Sequence, residues 1–140
     1  MQREPVYQAL FDLLSASAGF LTTGRRLQGW EDTPEQPALF QMQVGEKAEQ
    51  KALGLTQWKL SVRVWIYARS DEASGTAPSS VLNPLVDAVC AAVAPVPAGE
   101  RQTLGGLALN AFVDGEIRTF EGVLGRQAVA IIPVSILTAA

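Results

Sequence analysis

Glu31, Asp32 and Glu35 form the densest group of carboxylates in the chain. Residues of this kind could supply an all-oxygen cation site. Their spacing lacks the alternate-position ligands and central glycine of a calcium loop, so they read as a solvated acidic loop. Acid–base and transition-metal chemistry lose their commonest residues, because the chain has no histidine and one cysteine. That cysteine, Cys90, falls on the apolar stripe of a helical segment, which suits a buried, inert thiol. Asp114 and Glu116 could act as a carboxylate pair but flank a turn signal, where solubility accounts for them. Gly105-Gly106 has no helix behind it and makes no phosphate cradle. No catalytic, metal-binding or cofactor-binding residue is therefore expected, and the chain reads as a non-enzyme.

The anomaly lies in apolar residues. In QWKLSVRVWIYA, residues 57 to 68, alternate positions Trp58, Leu60, Val62, Val64 and Ile66 form one face of a strand. The other face runs Lys59, Ser61, Arg63 and then, against the polar trend, Trp65 and Tyr67. Trp30 stands in the acidic loop. Two helices are too few to cover both sides of a sheet of about six strands. Trp65, Tyr67 and Trp30 are thus candidates either for cover within the chain or for a protein interface, where aromatic and arginine residues are enriched. Arg25 and Arg26 join them as candidate interface residues. A two-residue basic spot is too small to track a phosphate backbone, and a solvated strand end is its plainer reading.

The elements that would position these residues follow from periodicity. Val6, Ala9, Leu10, Leu13 and Leu14 predict a helix over 5–17, with Pro5 in its first turn and Gly19 as its cap. Strands are expected at 20–27, 38–45 and 55–69. EKAEQKALG, residues 46–54, has few apolar residues and reads as a solvated loop or mobile hairpin tip. Leu82, Leu85, Val86, Val89, Cys90 and Val93 predict a second helix, capped by Ser79 or Ser80, with Pro84 in its first turn. Beyond it, 104–113 reads as a strand with Leu107, Leu109, Ala111 and Val113 on one face. Asp114-Gly115 reads as a two-residue hairpin turn, with EIRTFEG returning from it. The final strand, QAVAIIPVSIL, is apolar on both faces, and Pro133 implies an edge or a bulge. The expected fold is a single α+β domain over residues 1–140, in the order α-β-β-β-α-β-β-β. Two helices pack on a mainly antiparallel sheet of about five to six strands.

With 140 residues, 48% hydrophobic and 18% charged, the chain can bury one core and is not disordered. A net charge of −3 argues against sequence-specific nucleic-acid binding, which needs clustered Lys and Arg. The absence of a long apolar run argues against a membrane span, and Gln8 and Asp12 argue against a signal peptide ahead of Ala16-Ser17-Ala18. Cysteine usage suits the cytosol.

Four stretches together, RRLQGWEDTPEQPALFQMQVGE, WKLSVRVWIYA, LNPLVDAVCAAVAP and QTLGGLALNAFVDGEIRTFEGVLGRQAVAIIPVSIL, resemble the tail-terminator (tail-completion) proteins of long-tailed bacteriophages and prophages. The resemblance runs from about Pro5 to Leu137, and no single piece of it is a chemical signature. It implies a structural protein of the virion tail, made in the host cytoplasm. Such proteins form a homo-oligomeric ring, commonly a hexamer, on the head-proximal end of the tail tube. The ring ends tube polymerisation and forms the head-joining surface. The implied partners are further copies of the chain, the tail tube protein and a head-completion protein, with DNA passing through the channel. An acidic chain would keep that DNA from sticking to the wall. The loops at 45–55 and 70–80 are expected to order on docking. Two other readings remain, a head-closure or stopper connector and a small α+β ligand-binding domain.

Overall fold

Leu60, Val62, Val64 and Ile66 are all at most 1% exposed, and the sheet is organised around the strand that carries them. The computed structural model describes residues 1–70, 75–95, 97–122 and 126–139. Its elements are α1 (Arg3–Ser15), β1 (Thr22–Gly24), a single 3-10 turn (Trp30–Asp32), β2 (Ala38–Ala52), β3 (Leu55–Arg69), α2 (Ser79–Val93), β4 (Asn110–Val113), β5 (Arg118–Glu121) and β6 (Gln127–Ala139). The six strands lie in the order β1-β2-β3-β6-β4, with β5 also on β6. Among the described residues β1 and β2 are the one parallel pair. The architecture is the expected α+β one, with both helices against one face of a mainly antiparallel sheet.

The helix-covered face holds the main core. Val6, Tyr7, Leu10 and Leu14 of α1 and Leu82, Val89 and Val93 of α2 meet the even-numbered residues of β3 and Ala128, Ala130, Ile132, Val134 and Ile136 of β6. The stripes read from the sequence are the stripes buried, because burial of one helical face is what holds a short helix in place. Gln41 is buried with them, and its amide donates to the Tyr7 carbonyl at 3.0 Å.

Several local expectations are corrected. Residues 46–52 are strand: β2 pairs with β3 out to Ala52–Leu55, and Leu53-Gly54 makes the turn, with Gly54 at φ 74°. Their residues are exposed throughout, so no burial alternation marks them, and the ladder to β3 alone makes them extended. Asp114-Gly115 is not a hairpin turn. β4 and β5 lie end to end along β6, pairing with residues 137–134 and 131–128 respectively. The four residues between them bulge opposite Pro133, whose ring offers no donor but whose carbonyl accepts from the Asp114 N–H at 3.0 Å. The bulge that Pro133 implied is therefore present, in the neighbouring strand. Residues 104–109 are irregular, with Leu104 at φ 53°, and Leu107 and Leu109 remain exposed while Ala111 is buried.

The helix ends differ too. α1 ends at Ser15 with Ala16 as cap, short of Gly19. α2 begins at Ser79, so Pro84 sits in its second turn, on an exposed position. Neither Ser79 nor Ser80 caps it by side chain. Glu121 of β5 accepts from the Ser79 N–H at 3.1 Å instead, placing a carboxylate at the positive helix end.

Candidate interaction surface

The far face of the sheet, away from the helices, carries the odd-numbered residues of β3. Tyr67 is 5% exposed there. It packs on Phe40 and Trp30, with ring centroids 5.5 and 5.4 Å away, and donates to the Gln28 carbonyl at 2.6 Å. The segment 27–30 folds over this corner because Leu27 and Trp30 have Ala38, Phe40, Tyr67, Trp65 and Val129 to cover. Arg69 lays its guanidinium 6.0 Å from the Trp30 ring. The aromatic end of β3 is thus covered within the chain, and burial pushes the Tyr67 hydroxyl pKa upward. Of the three candidate aromatics, Tyr67 is core, Trp30 is its lid, and Trp65 is half-buried at the lid's margin. The Trp65 indole N–H is enclosed and has no partner among the described residues.

Cover stops beyond Trp65. Ile131, Pro133 and Leu137 continue the far face along β6, all partly exposed, and Phe120 of β5 is 52% exposed. A cavity of about 290 Å³ opens here between Arg63, Asp114, Gly115, Glu116, Arg118, Ile131 and Pro133. Asp114 is held by Lys59 at 2.7 Å and by the Ser135 hydroxyl at 2.8 Å. These two donors, the lysine first, keep its carboxyl below the ordinary carboxylate value. Arg63 and Arg118 form no ion pair among the described residues.

Arg25 is not a solvated strand end. It pairs with Glu4, hydrogen-bonds Gln8 and Gln43, and lies 6.0 Å from the Tyr7 ring, tying β1 to α1 and β2. Arg26 is exposed beside it. Sequence order brings Trp30, Trp65 and Tyr67 together in space, while Arg25 belongs to a separate network on the helix side. That network includes Glu46, which accepts from Arg3 at 2.6 Å and from the Tyr7 hydroxyl at 2.8 Å. The Arg3 bond chiefly lowers the Glu46 pKa, and burial followed by the Glu46 bond raises that of Tyr7.

The β2–β3 arm projects past this network. Leu53 at its tip is 99% exposed and Leu55 65%. Among the described residues the outer edge of β2 is paired at Ala38–Phe40 alone, by β1. The 70–80 segment lies partly outside the described residues.

Cys90 is half-buried, and burial with the nearby Asp87 raises its thiol pKa, the opposite of activation. Among the described residues no three His, Cys, Asp or Glu side chains gather into a metal site, and no helix is long and apolar enough to cross a membrane. Sequence reading placed Arg63 on the face of Trp65 without singling it out, and missed Arg118 and Phe120 as surface candidates. Their signal was the period-two pattern of β5 carried onto the same face as Trp65, which the hairpin assignment at Asp114-Gly115 obscured. No protein-family model matches the chain, and no curated protein does.

Proposed function

We propose that this protein is a structural assembly subunit that caps the head-proximal end of a phage tail tube as a ring, halting tube growth and offering the surface to which a head joins. The observation that supports this most is the half-covered far face: the 27–30 segment buries one end, and at the other an exposed Phe120 and the partly exposed Ile131, Pro133 and Leu137 lie open among Lys59, Arg63 and Arg118. Apolar and arginine side chains open to water on a sheet face are the mark of a protein that meets another protein there. The resemblance of the chain's four long stretches to tail terminators names the kind of assembly. In this reading the far face meets a neighbouring copy, and the Leu53–Leu55 tip reaches toward the tube. Trp65, Trp30 and Arg26 border these contacts, while Tyr67 and Arg25 hold the elements that present them.

Electron microscopy of tails assembled with and without the protein tests the reading. Tails of uniform length with a ring at one end are expected in its presence, and tubes of uncontrolled length in its absence. Tubes of the same length distribution in both preparations, with no added density at either end, would remove the proposal.

A further inference from the structure

The far face and the rest of the molecule carry opposite charge. Register places Lys47, Lys59, Arg63, Arg69 and Arg118 on the far face of the strands, and Lys51 joins them through its 3.1 Å pair with Glu49. Its anions are Glu49, Asp114 and Glu116. Six cations less three anions give +3 on this sheet surface, and since the chain totals −3, the remaining residues, the 31–35 segment among them, carry −6. Two copies meeting far face to far face would set like charge against like. A copy that offers its far face to a different surface of its neighbour gains instead.

Both halves of such a contact are built. Arg63 and Arg118 stand diagonally across β6, over Pro133 and Ile131, at the 290 Å³ cavity, with no ion pair of their own among the described residues. Glu116 shares the cavity, and Asp114 there is already neutralised by Lys59. The acidic partner is the segment 31–35, whose Glu31, Asp32 and Glu35 are exposed and likewise free of ion pairs among the described residues. That segment is held in shape. Thr33 is 1% exposed and donates to the Gly29 carbonyl at 2.9 Å, Gln36 donates to the Thr33 carbonyl at 2.9 Å, and Thr22 donates to the Glu35 carbonyl at 2.7 Å. A preordered loop loses little entropy on binding. The Thr22 bond anchors its far end at β1, whereas the arginines lie on β3 and β5, on either side of β6.

We propose that the acidic segment 31–35 of one copy docks into the Arg63–Arg118 cavity of a second copy. The contact joins two unlike surfaces, so each copy keeps one of each free, and addition continues until a ring closes. This deepens the assembly reading above and rests on it.

Charge exchange tests the pairing. One variant carries Arg63→Glu with Arg118→Glu, and the other carries Glu31→Arg, Asp32→Arg and Glu35→Arg. All five residues are exposed, and circular dichroism should show both variants folded. Association is read by sedimentation velocity at low salt and, with tubes added, by counting rings at tube ends. Each variant alone should associate at least tenfold more weakly than wild type. An equimolar mixture should recover wild-type association, because each variant's altered surface then faces its complement. Variants that assemble as wild type does, or a mixture that fails to recover, overturn the pairing while leaving the capping reading intact if wild-type rings form. A wild type that forms no ring, alone or on tubes, overturns both. A short DNA duplex that binds wild type but not the arginine variant, with assembly unchanged, would put nucleic acid in the cavity and overturn the proposal.

Discussion

Trp30→Ala removes the lid from the aromatic corner, and its cost can be worked from the contacts. A fully buried aromatic truncated to alanine costs about 3–5 kcal/mol. Trp30 is only half-buried, so about 2 kcal/mol is the share due to lost burial, including ~1 kcal/mol for the tilted pairing with Tyr67 at 5.4 Å. The segment it anchors also supplies the Gln28 carbonyl to Tyr67 at 2.6 Å. Loosening that bond adds up to ~1 kcal/mol. The total, about 2–3 kcal/mol, lowers the melting temperature of a chain this size by roughly 6–10 °C. Denaturant unfolding at low protein concentration, followed by circular dichroism, measures it. Because Trp30 and Tyr67 act together, Trp30→Ala and Tyr67→Phe should be non-additive, with a coupling of about 1 kcal/mol. A loss below about 0.5 kcal/mol, with additive single variants, would mean that the 27–30 segment does not clamp Tyr67 and that the aromatic corner is open surface.

Gly115→Ala should cost about 1–2 kcal/mol in thermal unfolding. Its φ of 120° excludes side chains, although the added carbon would meet Pro133 only at an ordinary 3.5 Å. Asp114→Asn should flatten the acid limb of the stability profile. The folded pKa of Asp114 lies below its unfolded value near ~3.9, so its stabilisation is present above that pH and fades as pH falls through the folded value. Urea titrations from pH 6 downward compare the two slopes. Tyr7→Phe should lose about 1 kcal/mol at neutral pH with the bond to Glu46. The folded pKa of Tyr7 is raised, so wild-type stability should fall as pH climbs past the unfolded value near ~10, and the variant should lack that fall.

Where burial has a period, the sequence shows the fold. Leu10 and Leu14, Leu82 and Val89, and the even residues of β3 mark three elements whose covered stripes are the ones observed. Residues 46–52 carried no such mark, because both faces of the arm are wet and only backbone pairing holds it extended. Asp114-Gly115 misled for a related reason. A turn-forming pair also suits a bulge, and the choice between them depended on Pro133, about twenty residues further on. The candidate surface was half legible. Trp65 and Tyr67 broke the polar pattern of their face, but nothing near Trp30 in sequence says that it lies on Tyr67. Arg63 and Arg118 meet at one cavity only through the position of β6 between their strands.

That position of β6 has a consequence for biosynthesis. The last of the six described strands, Gln127–Ala139, sits inside the sheet, with β3 on one side and β4 and β5 on the other. A nascent chain lacking it holds a β2–β3 hairpin and two helices with the Leu60–Ile66 row still unroofed along one edge, and β4 and β5 have nothing to pair with. Closure of the core must therefore wait until residues 127–139 have been made, so the first half of the chain cannot complete its own fold while the ribosome is still reading the second.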